Sequence, residues 1–240
     1  MDEICEVIEH TGLIAAICED ADDDQVRLVY ADWLEEQGDP RGELIRLQIE
    51  FARMAPRDLR REVLLRRDQE LLAIHSDSWR LPHLAGVTWG RYERGFIESV
   101  TLETWQAFVA HVDQIARLVP LRSLTIEGVL LTSGQISVLA AWPRLGRLTA
   151  LSLKGGGLGE EEMQMLVGSP YLANLKELSL EDNLLRDGGA EHLAGCPFLC
   201  GLSKLNVAQN QIRSGGIAAL RNSLYLYDLV ELDLTGNEVG

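Results

Sequence analysis

The chain has 240 residues, 46% of them hydrophobic, which is enough for one or two domains with a buried core. Its formal net charge of −15 disfavours nucleic acid or anionic lipid as the main partner, since both are held through positive surface. The opening Met1-Asp2-Glu3-Ile4-Cys5 lacks a basic segment followed by an apolar one, and no stretch reaches the ~20 apolar residues of a membrane span, so the expectation is a cytoplasmic protein without membrane attachment.

Residues 1–80 read as an all-α N-terminal domain. Ile4, Val7, Ile8 and Leu13 suggest a first amphipathic helix. The acidic run Asp20–Asp24 suits the positive end of a second, from Gln25 to Gln37, whose Val26, Val29, Tyr30, Trp33 and Leu34 share one face. Gly38-Asp39-Pro40 stops it. A third runs from Arg41 to Met54 through Leu44, Ile45, Leu47 and Ile49, and Pro56 opens a fourth that reaches His75. Asp32, Glu35, Glu36, Asp39 and Arg41 have the composition of a metal or acid/base cluster. A simpler account has Asp39 capping the next helix and Arg41 pairing locally. Arg53, Arg57, Arg60, Arg61, Arg66 and Arg67 form the basic patch, read either as a solvated, partly paired face or as a contact for an acidic segment or RNA. The segment DDDQVRLVYADWLEEQGDPRGELIRLQ (22–48) resembles a bacterial repeat-companion domain of planctomycete type, with Tyr30, Ala31, Asp32, Trp33, Leu34, Gly38, Asp39, Pro40 and Arg41 in the expected order. That resemblance implies a neighbouring repeat array and carries no activity with it.

Residues 81–120 read as a linker and an N-terminal capping repeat. Val87 and Trp89, then Phe96, Ile97 and Val100, predict strands with a turn at Arg94-Gly95. From 121 onward a repeat takes over. Leu121, Leu148, Leu175, Leu202 and Leu229 stand 27 residues apart, followed at fixed offsets by Leu124, Leu151, Leu178, Leu205 and Leu232, and by Ile126, Leu153, Leu180, Val207 and Leu234. The frame continues through Leu131, Leu158, Leu185, Ile212 and Val239. Three more apolar columns begin at Ile136, Leu139 and Leu145. The opening LxxLxL alternates with period two and predicts a strand; the later spacing of Met163, Leu166 and Val167 predicts one face of a helix. Pro143, Pro170 and Pro197 end those helices. No such unit can bury its own apolar face, so the units stack.

LKELSLEDNLLRDGGAEHLAGCPFLCG (175–201) and LSKLNVAQNQIRSGGIAALRNSLYLYD (202–228) resemble the leucine-rich-repeat family in its helix-bearing, ribonuclease-inhibitor-like form. The resemblance implies a right-handed solenoid over 121–240 (four full repeats and a partial fifth), with a concave parallel sheet and convex helices. It also implies an asparagine ladder at Asn183, Asn210 and Asn237. Val129 and Gly156 replace that asparagine earlier, so their turns are expected to be looser or differently bonded, with Gly155-Gly156-Gly157 the most irregular.

Stacking aligns equivalent residues on neighbouring strands. One column reads Ser123, Ala150, Glu177, Lys204, Glu231; a second Thr125, Ser152, Ser179, Asn206, Asp233; a third Glu127, Lys154, Glu181, Ala208, Thr235. Alternating Glu and Lys either stabilise the sheet or present a mixed-charge surface to a partner. Glu127, Ser152, Lys154, Glu177, Ser179, Glu181, Lys204, Asn206, Glu231 and Asp233 are the candidate protein-binding residues. The last repeat shows no cap, which suggests a longer array, or an edge covered by a partner or by a second copy.

No GxSxG, HExxH, phosphate loop or dinucleotide fingerprint is present, and the four cysteines lack metal-ligand spacing. The expectation is a non-catalytic scaffold or adaptor for another protein, with no cofactor and no metal. Alternatives are a nucleic-acid-binding module using residues 53–67, a substrate-recognition subunit of an enzyme complex, and a hydrolase or toxin with an unrecognised site.

Overall fold

Four helices open the chain: α1 (Asp2–Glu19), α2 (Asp24–Glu36), α3 (Arg41–Arg53) and α4 (Arg60–His75). The computed structural model describes residues 2–238, with side chains from His10 onward. The side chains of Ile4, Cys5, Val7 and Ile8, and Val239 altogether, lie outside the described residues. α2 begins as the acidic run requires, with the Asp23 carboxylate accepting the Gln25 N–H at 2.7 Å. Asp39 accepts the Arg41 N–H at 2.8 Å and so starts α3. Two expectations need correcting. Pro56 does not open α4; a turn led by Asp58, whose carboxylate accepts the Arg60 N–H at 2.9 Å, delays it to Arg60. Arg41 does not pair with a neighbouring carboxylate. Its Nε donates to the Gly95 carbonyl at 3.1 Å, and its guanidinium lies 4.6 Å from the centre of the Phe96 ring.

Three short strands follow: β1 (Val87–Trp89), β2 (Tyr92–Glu93) and β3 (Phe96–Ile97), the last two forming an antiparallel hairpin. Its turn has φ of 49° at Arg94 and 80° at Gly95, as a two-residue hairpin of this hand needs. Gly95 is fixed twice over, because an added Cβ would sit 2.1 Å from the Ile45 side chain. The hairpin brings Phe96 into a core of Ile17, Tyr30, Ala31, Leu34, Ile45 and Ile49. Beside it lies a buried charge network. Arg27, with no exposed surface, pairs with Glu98 at 2.8 Å and donates to the carbonyls of Ala21 and Arg94. Glu98 also holds Arg94 at 2.9 Å, and Arg94 reaches Asp24. Burial pushes the Glu98 carboxyl up and the Arg27 guanidinium down. Contacts divide the chain into two units: residues up to Leu84, Trp89–Glu98 and Val112–Leu121 form one; Ala85–Thr88, Ser99–His111 and the chain from Arg122 form the other.

The second unit is mixed α/β with a mostly parallel sheet. After β4 (Ser99–Leu102) and α5 (Trp105–Leu118), strands β5 (Ser123–Ile126), β6 (Ala150–Ser152), β7 (Glu177–Ser179), β8 (Lys204–Asn206) and β9 (Glu231–Asp233) recur. Between them stand α6 (Ser133–Ala140), α7 (Glu160–Val167), α8 (Arg186–Ala194) and α9 (Ser214–Arg221). The sheet order is β1-β4-β5-β6-β7-β8-β9. From β5 to β9 each strand pairs parallel with the next, Leu124 on Leu151, Leu178, Leu205 and Leu232 in turn. Between Leu121 and Leu226 no residue of the seven apolar columns is more than 6% exposed. Pro143, Pro170 and Pro197 each begin a short 3₁₀ turn after their helix, where a missing N–H costs nothing.

Three side-chain and backbone columns lock the coils together. Asn183 and Asn210 are buried: each donates to a carbonyl of its own turn and to one thirty residues back (Leu153, Leu180), and accepts an N–H twenty-five residues back (Leu158, Leu185). Asn237 repeats the pattern on Val207 and Ile212. Because each asparagine serves the preceding turn, the Gly155-Gly156-Gly157 turn keeps these bonds, supplied by Asn183. The turn without them is one repeat earlier, where Gly156 gives only its carbonyl, to the Leu131 N–H at 2.8 Å. A second column at the helix ends was not expected: Ser169, Cys196 and Ser223 donate to the carbonyls of Ala140, Val167 and Ala194. A third is left-handed backbone two or three residues after each strand, at Gly128, Gly155, Asp182, Gln209 and Gly236.

Candidate protein-binding face

The strand register sets the candidate residues side by side on the sheet face that alternates with the buried leucines. Glu177 stands between Ala150 and Lys204, Lys204 between Glu177 and Glu231, and Ser179 between Ser152 and Asn206. A shallow cavity of about 260 Å³ runs along this face, floored by Ser152, Glu177, Ser179, Lys204, Asn206 and Glu231 among others. The third column lies just beyond the strand ends and stays aligned through backbone bonds such as Gly155 N–H to Glu181 and Asp182 N–H to Ala208. Seven of the ten candidates line this cavity, Lys154 and Glu181 join them through their ion pair and the Asn206 contact, and Glu127 acts on Lys154 through its charge.

Its electrostatics are settled locally. Lys154 pairs with Glu181 at 2.8 Å and Lys204 with Glu177 at 2.7 Å. The hydrogen bond it donates to Glu181 holds the Lys154 ammonium above its usual range; Glu177, and then the charge of Glu231, do the same for Lys204. Asn206 reaches Glu181 at 3.4 Å. Hydrogen bonds from the Thr235 hydroxyl and then from its N–H, the latter at 2.8 Å, hold the Asp233 carboxyl below the usual range. Both ammonium groups are thus spent on neighbours, and Glu127, Glu231 and Asp233 have no ion-pair partner among the described residues. The surface presents excess negative charge interleaved with hydroxyl and amide groups.

The basic patch is arranged differently. Arg53 pairs with Asp24 at 2.6 Å, Arg60 with Asp58 at 2.9 Å and Glu50 at 3.2 Å, and Arg67 with Glu43 at 2.6 Å and Glu70 at 3.2 Å. Arg67 in turn holds the Glu43 carboxyl below its ordinary range. Arg61 lies over the Phe51 ring at 3.9 Å and donates to the carbonyls of Phe51 and Met54. Arg57 is exposed. The acidic cluster is also accounted for by local contacts: Asp32 and Glu35 both meet Arg46, and Asp39 caps α3. Among the described residues, no group of three or more His, Cys, Asp or Glu side chains is placed to hold a metal ion. No helix among them is long and apolar enough to cross a membrane.

Sequence reasoning missed the helix-end column and the Arg27–Glu98 network. The first had a visible signal, a small donor at 169, 196 and 223 in the same 27-residue frame. The second had none, since its members do not repeat.

No protein-family profile matches the chain, and no curated protein does. Among solved structures it is similar to an internalin from Listeria monocytogenes, at 18% identity over 54% of this chain, with a TM-score of 0.26. The similarity spans 46% of the internalin chain, under half of its length.

Proposed function

We propose that residues 121–240 form a right-handed leucine-rich-repeat solenoid whose helix-free sheet face binds a protein partner, without catalysis and without a cofactor. The single observation that carries this is the register. Five parallel strands present equivalent residues at one-strand intervals, and Glu177, Lys204 and Glu231 are exposed along that face. A shallow, open surface with regularly spaced carboxylate, hydroxyl and amide groups suits an extended or helical protein segment better than a small substrate. The unpaired carboxylates at Glu127, Glu231 and Asp233 favour a segment carrying Lys or Arg. The all-α head at 1–80 and the linker at 81–120 are proposed to accompany this array rather than to act chemically.

The nucleic-acid alternative draws on residues 53–67. It is the weaker reading, because Arg53, Arg60 and Arg67 already meet carboxylates. Affinity purification from the native host separates the two. A Glu127→Lys/Glu231→Lys variant, which reverses the charge of two unpaired carboxylates of the face, is expected to lose specific protein partners. A Glu161→Lys/Glu191→Lys variant on the exposed helix surface is expected to keep them. Equal loss from both variants, or from neither, contradicts the assignment of the face. Recovery of RNA that is salt-sensitive and lost on Arg57→Glu/Arg60→Glu supports the alternative.

A further inference from the structure

The first unit contains a cavity of about 480 Å³, of the size that holds small ligands. It is independent of the repeat face. His10 of α1, Arg41 of α3, Trp79, Tyr92, Phe96 and Arg117 line it, with aliphatic side chains between them. The aromatic wall is tied in place. Tyr92 donates its hydroxyl to the Trp79 carbonyl at 2.8 Å, and the two rings meet edge to face at 6.1 Å. The Trp79 indole N–H donates to Asp39 at 3.3 Å. Tyr30 meets the His10 Nδ1 at 3.1 Å, which orients the imidazole.

The arginines of this cavity differ from most others of the unit. Arg46, Arg53, Arg60, Arg67 and Arg94 each meet at least one carboxylate. Arg41 and Arg117 meet none among the described residues. Arg41 spends its Nε on the Gly95 carbonyl and stacks on Phe96, so its terminal nitrogens stay uncommitted while its plane is held rigid. Asp39 is occupied by the Arg41 N–H and the Trp79 indole. Burial first, and then the Arg41 charge, lowers the His10 pKa against the opposing charge of Asp39, so Arg41 rather than the imidazole supplies positive charge on that side of the cavity. In a chain of net charge −15, two guanidinium groups without carboxylates beside a wall of aromatic rings call for an anion with an apolar body.

We infer that this cavity binds a carboxylate joined to an aromatic or apolar group, with the carboxylate on Arg41 and Arg117 and the apolar part against Trp79, Tyr92 and Phe96. A planar guanidinium held against a ring offers a carboxylate two parallel N–H donors, and the rings take a flat group by stacking. Two sources share this chemistry: a free small acid, and the C-terminal residue of a peptide.

The full chain is titrated calorimetrically with 3-phenylpropionate, with acetyl-Gly-Phe bearing a free carboxylate, and with the amide of each. Both acids, or one of them, are expected to bind, and the matching amide at least tenfold more weakly. Tighter binding of 3-phenylpropionate identifies a small-acid site; tighter binding of acetyl-Gly-Phe identifies a C-terminus site. Arg41→Gln is expected to weaken the acid at least tenfold, with the far-ultraviolet circular dichroism unchanged. Arg117→Gln, at an exposed position that carries no core packing, is expected to weaken it as well and stands alone if Arg41→Gln unfolds. Equal binding of acid and amide, undetectable binding of both acids at millimolar concentration, or full affinity in Arg117→Gln overturns the inference.

Discussion

Two or three residues after each repeat strand the backbone turns left-handed, and the residue there is glycine at 128, 155 and 236 but Asp182 and Gln209 in between. An L side chain in that region costs about 1–2 kcal/mol from the clash of its Cβ with the following carbonyl. At Gly155 there is room for a side chain, the nearest atom to an added Cβ being an Asp182 carboxylate oxygen at 3.8 Å, so the penalty is conformational rather than steric. Gly155→Val is therefore expected to lower stability by about 1–2 kcal/mol in urea unfolding at unchanged slope. Asp182→Gly is expected to fall within about 0.5 kcal/mol of the parent, relief of strain being offset by glycine's greater freedom when unfolded. Equal losses at both positions would show that packing, not φ, governs the turn. The apolar columns were legible residue by residue, because every buried leucine recurs at the same spacing. The left-handed position was not, because its residues are of three types with no shared chemistry.

At the scale of elements, the β2–β3 hairpin is joined to the helices by contacts with no sequence signature. Arg27 meets Glu98, and Arg41 meets Gly95, across long chain separations. The local expectation for Arg41 failed for that reason: its partners are a carbonyl and an aromatic ring brought in by the hairpin. Removing one member of a buried ion pair strands the other without solvent, at about 3–5 kcal/mol. Glu98→Ala is expected to destabilise the chain by that order, since it leaves Arg27 buried with two carbonyls as its remaining partners. A double Arg27→Met/Glu98→Leu variant is expected to recover most of the loss, measured by thermal unfolding. A Glu98→Ala chain as stable as the parent would mean that water enters and satisfies Arg27. Helix boundaries were legible where caps are local, at Asp23 and Asp39. They were misplaced at α4, where the proline signal at 56 was overridden by the Asp58 turn.

For the whole molecule, the repeat half of the fold and the composition of its open face could be read from the sequence, since a 27-residue period specifies both the buried columns and the exposed ones between them. The pairing of those charges could not. Register alone allows Lys204 to choose either neighbour, and the structure pairs it with Glu177. The cavity of the helical unit was hidden for a related reason: five separate stretches of chain contribute to it, and none carries a motif for it. The central claim is that the sheet face of the repeats is where a protein partner sits. Photo-crosslinking in the native host tests it most directly, with a benzophenone amino acid placed at Ser179 on that face and, in a separate chain, at Glu191 on the helix surface. A discrete protein adduct from position 179 and none from 191 is the predicted result; an adduct from 191 alone, or the same products from both, would contradict it.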